Sequence, residues 1–135
     1  MKELTVEAKI ENLETVINFV TKFLHNENCS FKTITKFEIA IDELFSNIAY
    51  YAYKDEIGYV KVILEVVENP KSISLTLVDN GIPFDPLQNK DPNTSLPSEE
   101  RKQGGLGIFM VKKSMDDISY RYENKQNILS IMKKI

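Results

Sequence analysis

Residues 42–53 read "DELFSNIAYYAY" and end a stretch whose apolar residues recur at helical spacing. That spacing predicts a long helix over residues 32–53. On a helical wheel of about 100° per residue, one broad apolar stripe is the side expected to face the core. It consists of Ile34, Phe37, Ile41, Leu44, Phe45, Ile48 and Ala52. Glu43 and Asn47 belong neither to this stripe nor to the separate polar stripe, yet they lie one turn apart on the same flank.

The flank that carries Glu43 and Asn47 is otherwise largely apolar, because its neighbours on the wheel include Ile39, Ala40 and Tyr50. A carboxylate and a carboxamide in such surroundings indicate that another part of the protein covers them. Two interpretations fit this spacing. One is a partly exposed polar pair on an amphipathic helix, and the other is a proton-accepting carboxylate beside an oxygen donor for a hard metal such as Mg²⁺.

Alternating apolar runs on both sides of the long helix predict five strands. They cover residues 4–10, 59–67, 73–79, 118–123 and 128–134. Asn12 can cap a first helix, and a third helix is predicted over residues 105–115. The strands occur mostly in adjacent hairpins, which favours an α+β fold. We expect a two-layer α/β sandwich with helices on one face of a mixed, mainly antiparallel sheet.

Length and composition predict one globular domain over residues 1–135, because 42% of the residues are hydrophobic and 27% are charged. A net charge of −3 gives no electrostatic reason to expect nucleic acid or an anionic membrane as a partner. The single cysteine, Cys29, excludes an intrachain disulfide, and the single histidine, His25, disfavours a multi-histidine metal site. The sequence shows no apolar leader and no run of membrane-spanning length, which predicts a cytoplasmic location.

The third strand ends on Asp79, followed by Asn80 and Gly81. Asp-Asn-Gly is strong turn chemistry, but the prolines at 83 and 86 prevent a strand from following directly. Asp79 at a strand end could instead accept a hydrogen bond from an exocyclic amine of a base, with Gly81 allowing close approach. A turn and a binding site both remain open at this position.

Three glycines, Gly104, Gly105 and Gly107, begin the third helix, where glycine is unfavourable by about 1 kcal/mol relative to alanine. Backbone N–H groups at a helix N-terminus are unpaired and carry the positive end of the helix dipole. Glycines there would let a phosphate reach those groups. A hinge that closes the long loop over residues 80–103 is the alternative, and loops of that length are usually functional.

Together and in this order, the three motifs resemble the GHKL-type ATPase (Bergerat) fold of gyrase and histidine-kinase ATP-binding domains. The resemblance is strongest to the bacterial anti-sigma factor serine kinases. "DELFSNIAYYAY" is similar to their N-box, "LVDNGIPFDP" to their first glycine box, and "GGLGIFMVKKSMDDISY" with "NILSIMKK" to their second glycine box and closing hairpin. Pro83 stands where the wider superfamily has glycine, and the anti-sigma branch tolerates proline there.

The resemblance implies a role for each matching residue. Glu43 would be the general base on the attacking serine hydroxyl, and Asn47 would ligate the Mg²⁺ that bridges the triphosphate. Asp79 would accept a hydrogen bond from the adenine amino group, with Gly81 making room for the ring. The phosphates would be held by Gly104, Gly105, Leu106 and Gly107. Residues 87–103 would form an ATP lid, and Ser130 would lie near adenine.

The resemblance also implies a function. The chain would bind ATP or ADP with Mg²⁺, phosphorylate a serine of a STAS-type anti-anti-sigma protein, and sequester a sigma factor. A homodimer is implied, with no direct contact to nucleic acid or membrane. The alternative is a nucleotide-dependent switch that binds and releases a partner without kinase activity.

Overall fold

The computed structural model describes residues 1–53, 56–88 and 105–135. The strands within those residues are β1 Lys2–Glu7, β2 Tyr59–Val67, β3 Ser72–Asp79, β4 Asp117–Glu123 and β5 Gln126–Lys134. The α-helices are α1 Leu13–Asn26, α2 Phe31–Asn47 and α3 Gly105–Ser114. Short 3₁₀ turns occupy Ile10–Asn12 and Pro86–Gln88, and a π-helical turn occupies Ile48–Ala52.

The strands form one sheet in the order β1-β2-β3-β5-β4. Every neighbouring pair is antiparallel, so the sheet that we expected to be mixed contains no parallel pair among the described residues. β4 and β5 are joined through Asn124 and Lys125, both with positive φ. A two-residue turn of this kind matches the right-handed twist of a hairpin. The predicted α+β sandwich is confirmed.

The core lies between the helices and one face of the sheet. Alternate residues of β3 face it, and they are Ile73, Leu75, Leu77 and finally Asp79. The inward residues of β5 are Asn127, Leu129 and Ile131. Helices α1 and α2 contribute the buried side chains opposite, and each such apolar side chain stabilises the fold by about 1.5–3 kcal/mol. The core face of the sheet therefore changes from apolar to polar where Asp79 pairs with Asn127.

The ends of several elements differ from the sequence predictions. β1 ends at Glu7 rather than at residue 10, because the chain turns at Ile10–Asn12. Asn12 does precede α1, but its amide donates to the Glu7 carbonyl at 2.9 Å instead of capping the helix. Helix α2 starts at Phe31 because the Ser30 hydroxyl accepts a hydrogen bond from the backbone N–H of Thr33 at 3.1 Å.

Helix α2 does not continue in α form to residue 53. It ends at Asn47, and the π-helical turn Ile48–Ala52 follows. π-helical segments occur mostly as single turns inside α-helices, and they are frequent at functional sites. In the described part of the chain, no helix combines the length and the apolar character needed to cross a lipid bilayer.

Candidate functional site

Glu43 and Asn47 lie in the last turn and a half of α2, both half-buried. The amide nitrogen of Asn47 donates to Glu43 Oε1 at 3.4 Å. This hydrogen bond uses the nitrogen of the carboxamide and leaves its oxygen, Oδ1, without a hydrogen-bond partner among the described residues. The structure therefore brings together the two residues that the spacing had placed on one flank.

Helix α3 is the element that covers this pair. A Cβ atom added to Gly107 would lie 2.1 Å from the carboxyl carbon of Glu43, so the glycine makes room for the Glu43 side chain in its present position. Burial raises the pKa of Glu43, the hydrogen bond from Asn47 lowers it, and the charge of Asp42 raises it. The net effect is a raised pKa, which favours proton uptake by this carboxylate.

Asp79 ends β3 with only 4% of its surface exposed. Its Oδ1 atom accepts two hydrogen bonds, from the backbone N–H of Gly81 at 2.8 Å and from the amide of Asn127 at 2.9 Å. Burial raises the pKa of Asp79, and these two hydrogen bonds oppose the increase by favouring the ionised form. The Asp-Asn-Gly segment therefore forms a tight turn, and the Asp79 carboxylate within it is held in place by hydrogen bonds.

The π-helical turn is attached directly to the segment after β3. The backbone N–H of Ile82 donates to the carbonyl of Ala52 at 3.0 Å. A Cβ atom at Gly81 would lie 2.4 Å from that same carbonyl oxygen, so the absence of a side chain is required for this approach. Gly81 thus makes room for the end of the helix, and Ala52 in turn lines the cleft beside Asp79.

A cleft open to solvent lies between the end of α2 and the polar end of the sheet, and the empty space in the cleft and just outside its mouth is about 440 Å³. Asn47 and Asp79 line it from opposite elements. The other lining residues, mostly apolar or aromatic, are Leu44, Ile48, Tyr51, Ala52, Ile82, Phe84, Pro86, Tyr120, Asn127 and Leu129. An apolar cleft with a few convergent polar groups is the usual form of a small-molecule site.

Asn127 is a site residue that we did not predict from the sequence. It is 5% exposed, and its amide nitrogen donates to Asp79 and to the carbonyl of Ile82, both at 2.9 Å. Its oxygen accepts from the backbone N–H of Phe84 at 3.2 Å and from the hydroxyl of Tyr120. The available indication was a polar residue in phase with Leu129 and Ile131 on an otherwise apolar strand face.

Ser130 does not lie near the cleft, and the expectation that it would was wrong. It pairs with Thr76, and the two hydroxyl oxygens are 2.8 Å apart. Side chains alternate between the two faces of a sheet, so Ser130 points away from the face that carries Asn127 and Leu129. The neighbouring residue Leu129, rather than Ser130, lines the cleft.

The predicted phosphate-holding segment is described only in part. Gly104 lies outside the described residues, and Gly105 is the first residue of α3. Leu106 follows in the same helix, and Gly107 contacts Glu43. The predicted lid over residues 87–103 lies outside the described residues apart from Leu87 and Gln88.

The protein donors present suit Mg²⁺ bound together with a phosphate ligand. The described residues contain no group of three or more His, Cys, Asp or Glu side chains able to hold a metal on their own. Asn47 Oδ1 and the adjacent Glu43 carboxylate are hard oxygen donors, and Mg²⁺ is commonly held by one or two such donors plus substrate phosphates and water. The donor set therefore fits the ion that the resemblance implies.

Comparisons with known proteins show the family to which the chain belongs. Residues 6–133 match the family described as the histidine kinase-like ATPase domain. The serine-protein kinases RsbW of Bacillus cereus (strain AH820) and Bacillus anthracis (strain A0248) are each 27% identical to the chain over 131 residues. The matches cover 94% of this chain and 81% of each relative.

Two solved structures share the fold at 14% sequence identity. One holds the RsbU and RsbW domains of Rv1364c from Mycobacterium tuberculosis, with a TM-score of 0.64 over 99% of this chain and 32% of that one. The other is the histidine kinase domain of the blue-light activated histidine kinase of Erythrobacter litoralis EL346, with a TM-score of 0.57 over 90% of this chain and 60% of that one. The resemblance to the anti-sigma factor serine kinases is confirmed, and the chain belongs to the histidine kinase-like ATPase family.

Proposed function

We propose that this protein binds ATP with Mg²⁺ in the cleft and transfers the γ-phosphoryl group to a serine of a STAS-type anti-anti-sigma protein. The observation that carries the proposal is the placement of three side chains. Asn47 and Asp79 line one cleft from opposite sides, and Glu43 is hydrogen-bonded to Asn47. The similarity to the RsbW serine-protein kinases supports the same reaction class.

Each residue has a role in binding. Asp79 accepts a hydrogen bond from the adenine amino group, and the apolar walls of the cleft bury the ring. Asn47 offers its amide oxygen to Mg²⁺, which would neutralise triphosphate charge when bound. The backbone N–H groups of the segment that begins α3 hold the phosphates, and this role is assigned to Gly104, Gly105, Leu106 and Gly107.

Glu43 acts on the nucleophile. The serine hydroxyl oxygen attacks the γ-phosphorus, the bond from that phosphorus to the β–γ bridging oxygen breaks, and ADP leaves. Glu43 accepts the hydroxyl proton as the new oxygen–phosphorus bond forms. Phosphoryl transfer depends on positioning and charge neutralisation more than on covalent help from the protein, and the raised pKa of Glu43 suits a proton acceptor.

Phosphoserine formation tests the proposal. The protein is incubated with ATP, Mg²⁺ and a STAS-domain protein from the same genome, and phosphoserine is measured by mass spectrometry. Glu43→Gln keeps the size of the side chain but removes the base, so we expect the transfer rate to fall by about 100-fold or more. Glu38→Gln is the matched control, because Glu38 lies in the same helix, does not line the cleft, and the variant carries the same charge change.

Two results would contradict the kinase proposal. One is binding of ATP without transfer to any STAS protein of that genome. The other is equal transfer by wild type and Glu43→Gln, since the reaction would then need no base at this position.

The remaining assignments follow from the same resemblance. The protein would be a single domain over residues 1–135 with a lid near residues 87–103, and it would act in the cytoplasm. It would sequester a sigma factor as a homodimer. Co-purification with the sigma factors of the same genome, followed by mass measurement of the complex, tests the partner and the stoichiometry together.

A nucleotide-dependent binding switch is the second candidate function. The observation that favours it is the apolar rim of the cleft, where Tyr51, Ile82 and Phe84 remain about half-exposed. A partner that covers this rim would respond to the nucleotide beneath it. Pull-downs with ATP, with ADP and without nucleotide test this function, and identical partner binding in all three would reject it.

A further inference from the structure

The side chain of Asn127 ties together three separate segments at the floor of the cleft. It lies on the core side of β5, where an unpaired amide would cost several kcal/mol. Its hydrogen bonds run to the end of β3 through Asp79, to the segment after β3 through Ile82 and Phe84, and to β4 through Tyr120. Both polar atoms of this buried amide are therefore used.

These partners allow only one orientation of the amide. The backbone N–H of Phe84, 3.2 Å away, can only donate, so the atom facing it is the oxygen of Asn127. The hydroxyl of Tyr120 donates to the same oxygen. On the other side stand two acceptors, the Asp79 carboxylate and the Ile82 carbonyl, each 2.9 Å from the nitrogen. The orientation of Asn127 is thus set before any ligand binds.

The amide in turn orients Asp79. Oδ1 of that carboxylate is occupied by the N–H of Gly81 and by the amide of Asn127. Oδ2 receives no hydrogen bond from the described residues, and the side chain lines the cleft. Two donors on one oxygen fix the rotation of the carboxylate and favour its ionised form. The second oxygen is left as an acceptor that a ligand in the cleft can use.

We propose that Asn127 is a positioning residue that holds the Asp79 carboxylate as a fixed acceptor and thereby makes the cleft select adenine over guanine nucleotides. The proposal rests on the proposed function, because it takes the cleft to be the nucleotide site. Adenine presents an amino group, a donor, where guanine presents a carbonyl oxygen, an acceptor. A fixed carboxylate attracts the first and repels the second. A carboxyl group that has taken up a proton can donate to that guanine oxygen.

The test compares the affinities for ATP and GTP in wild type and Asn127→Leu, measured by calorimetry from pH 5.5 to 8. We expect Asn127→Leu to lower ATP affinity by about tenfold, because the Asp79 carboxylate stays but must be ordered when the ligand binds. The ratio of ATP to GTP affinity should fall with it. Protonated Asp79 is a weaker acceptor than the carboxylate, so wild-type ATP affinity falls as the pH falls through the raised pKa of Asp79. In the variant this loss should begin at a higher pH, because one donor to the carboxylate is gone.

Two further variants keep the test decisive. Tyr120→Phe removes only the hydroxyl that fixes the amide. It should change the ratio of ATP to GTP affinity in the same direction by about threefold, which is less than the loss of a whole hydrogen bond to a charged group. This variant keeps the test valid if Asn127→Leu folds poorly. Ser130→Ala is the matched control, because it removes the contact with Thr76 between the same two strands on the opposite face of the sheet. It should leave both affinities and the pH profile unchanged.

The outcomes separate this inference from the proposed function. An unchanged ATP to GTP ratio and pH profile in Asn127→Leu and Tyr120→Phe would overturn the inference alone. Equal losses of ATP and GTP affinity would also overturn it, since Asn127 would then be a purely structural tie. A wild-type protein with no affinity for ATP would overturn the proposed function and this inference together.

Discussion

At the β3 end of the cleft, Asp79 is 4% exposed and accepts hydrogen bonds of 2.8 and 2.9 Å. At the α2 end, Glu43 is half-buried and accepts a hydrogen bond of 3.4 Å from Asn47. Both carboxyl groups have a raised pKa because of burial. They differ in how firmly they are held, since two short hydrogen bonds fix one and a single long one restrains the other.

This contrast matches the two roles proposed for the cleft, which are recognition of a base and phosphoryl transfer. A group that recognises a base gains from a fixed orientation, because no ordering cost remains to be met on binding. A group that meets a metal, a triphosphate and a hydroxyl needs spare acceptor capacity, and Glu43 and Asn47 retain it. The four predictions below test this contrast, starting with the largest expected effect.

Removing the Asp79 carboxylate at the β3 end of the cleft should have the largest effect on ATP affinity. Asp79→Asn replaces one acceptor oxygen with a donor, and we expect ATP affinity to fall by about 100-fold, as for a lost hydrogen bond to a charged group. Calorimetric titration with ATP and Mg²⁺ measures this. Asp117→Asn, an exposed position in β4, is the charge-matched control. An ATP affinity within about threefold of wild type, a change smaller than one such bond is worth, would show that Asp79 does not contact the base.

Gly107→Ala should disturb the α2 end of the cleft, where Glu43 is held by a single long hydrogen bond. The new methyl group would lie 2.1 Å from the carboxyl carbon of Glu43, so the flexible side chain of Glu43 must move aside. We expect the transfer rate to fall by about tenfold, since displacing a catalytic group by about 1 Å can cost up to about 100-fold. Single-turnover transfer at saturating ATP is measured together with ATP titration, because Gly107 is also assigned to phosphate binding and the titration separates a loss of affinity from a loss of transfer rate.

Helix stability does not account for this effect, because alanine favours a helix over glycine by about 1 kcal/mol. Ser114→Ala, at the other end of α3, controls for changes in the helix itself. If Gly107→Ala transfers phosphate at the wild-type rate, the position of the Glu43 carboxylate is not critical for the chemistry.

Tyr53→Phe should weaken the support beneath the β3 end. The hydroxyl of Tyr53 donates to the carbonyl of Tyr59 at 2.8 Å and accepts from the backbone N–H of Asn80 at 2.6 Å. Losing it should lower the free energy of unfolding by about 1 kcal/mol. Urea denaturation measures the change, and Tyr50→Phe is the control because Tyr50 is exposed on the same turn. Equal stability of the two variants would show that Tyr53 is not part of the support.

The pH dependence of stability is the smallest expected effect. A carboxyl group with a raised pKa binds more protons in the folded than in the unfolded protein, so its ionisation lowers stability as the pH rises between about 4 and the raised value. Wild type should therefore lose stability relative to Asp79→Asn as the pH rises through that window. Denaturant titrations of both proteins from pH 4 to 7 measure the difference. If the difference in free energy of unfolding between the two proteins does not depend on pH, Asp79 has an ordinary pKa.

The sequence allowed much of the architecture to be predicted. Period-two and period-3.6 patterns are local, so β2, the two hairpins, α3 and the polar pair on α2 could be found without tertiary information. The π-helical turn could not, because its end is tied to the Ile82 N–H and packs on Gly81, about thirty residues further along the chain. Residues 89–104, where much of the lid prediction falls, lie outside the described structure.

The order of the elements, the family, and the placement of Glu43 and Asn47 in one motif and of Asp79 and Gly81 in another could be read from the sequence. Which residues of β5 face the cleft depended on tertiary contacts. Asp79 pairs with Asn127 and Thr76 pairs with Ser130, and a shift of one residue in that register would exchange the two faces. Only the packing of α3 against α2 placed Gly107 on Glu43. Strand register and helix packing bring together residues that are far apart along the chain, and local sequence patterns do not specify such contacts.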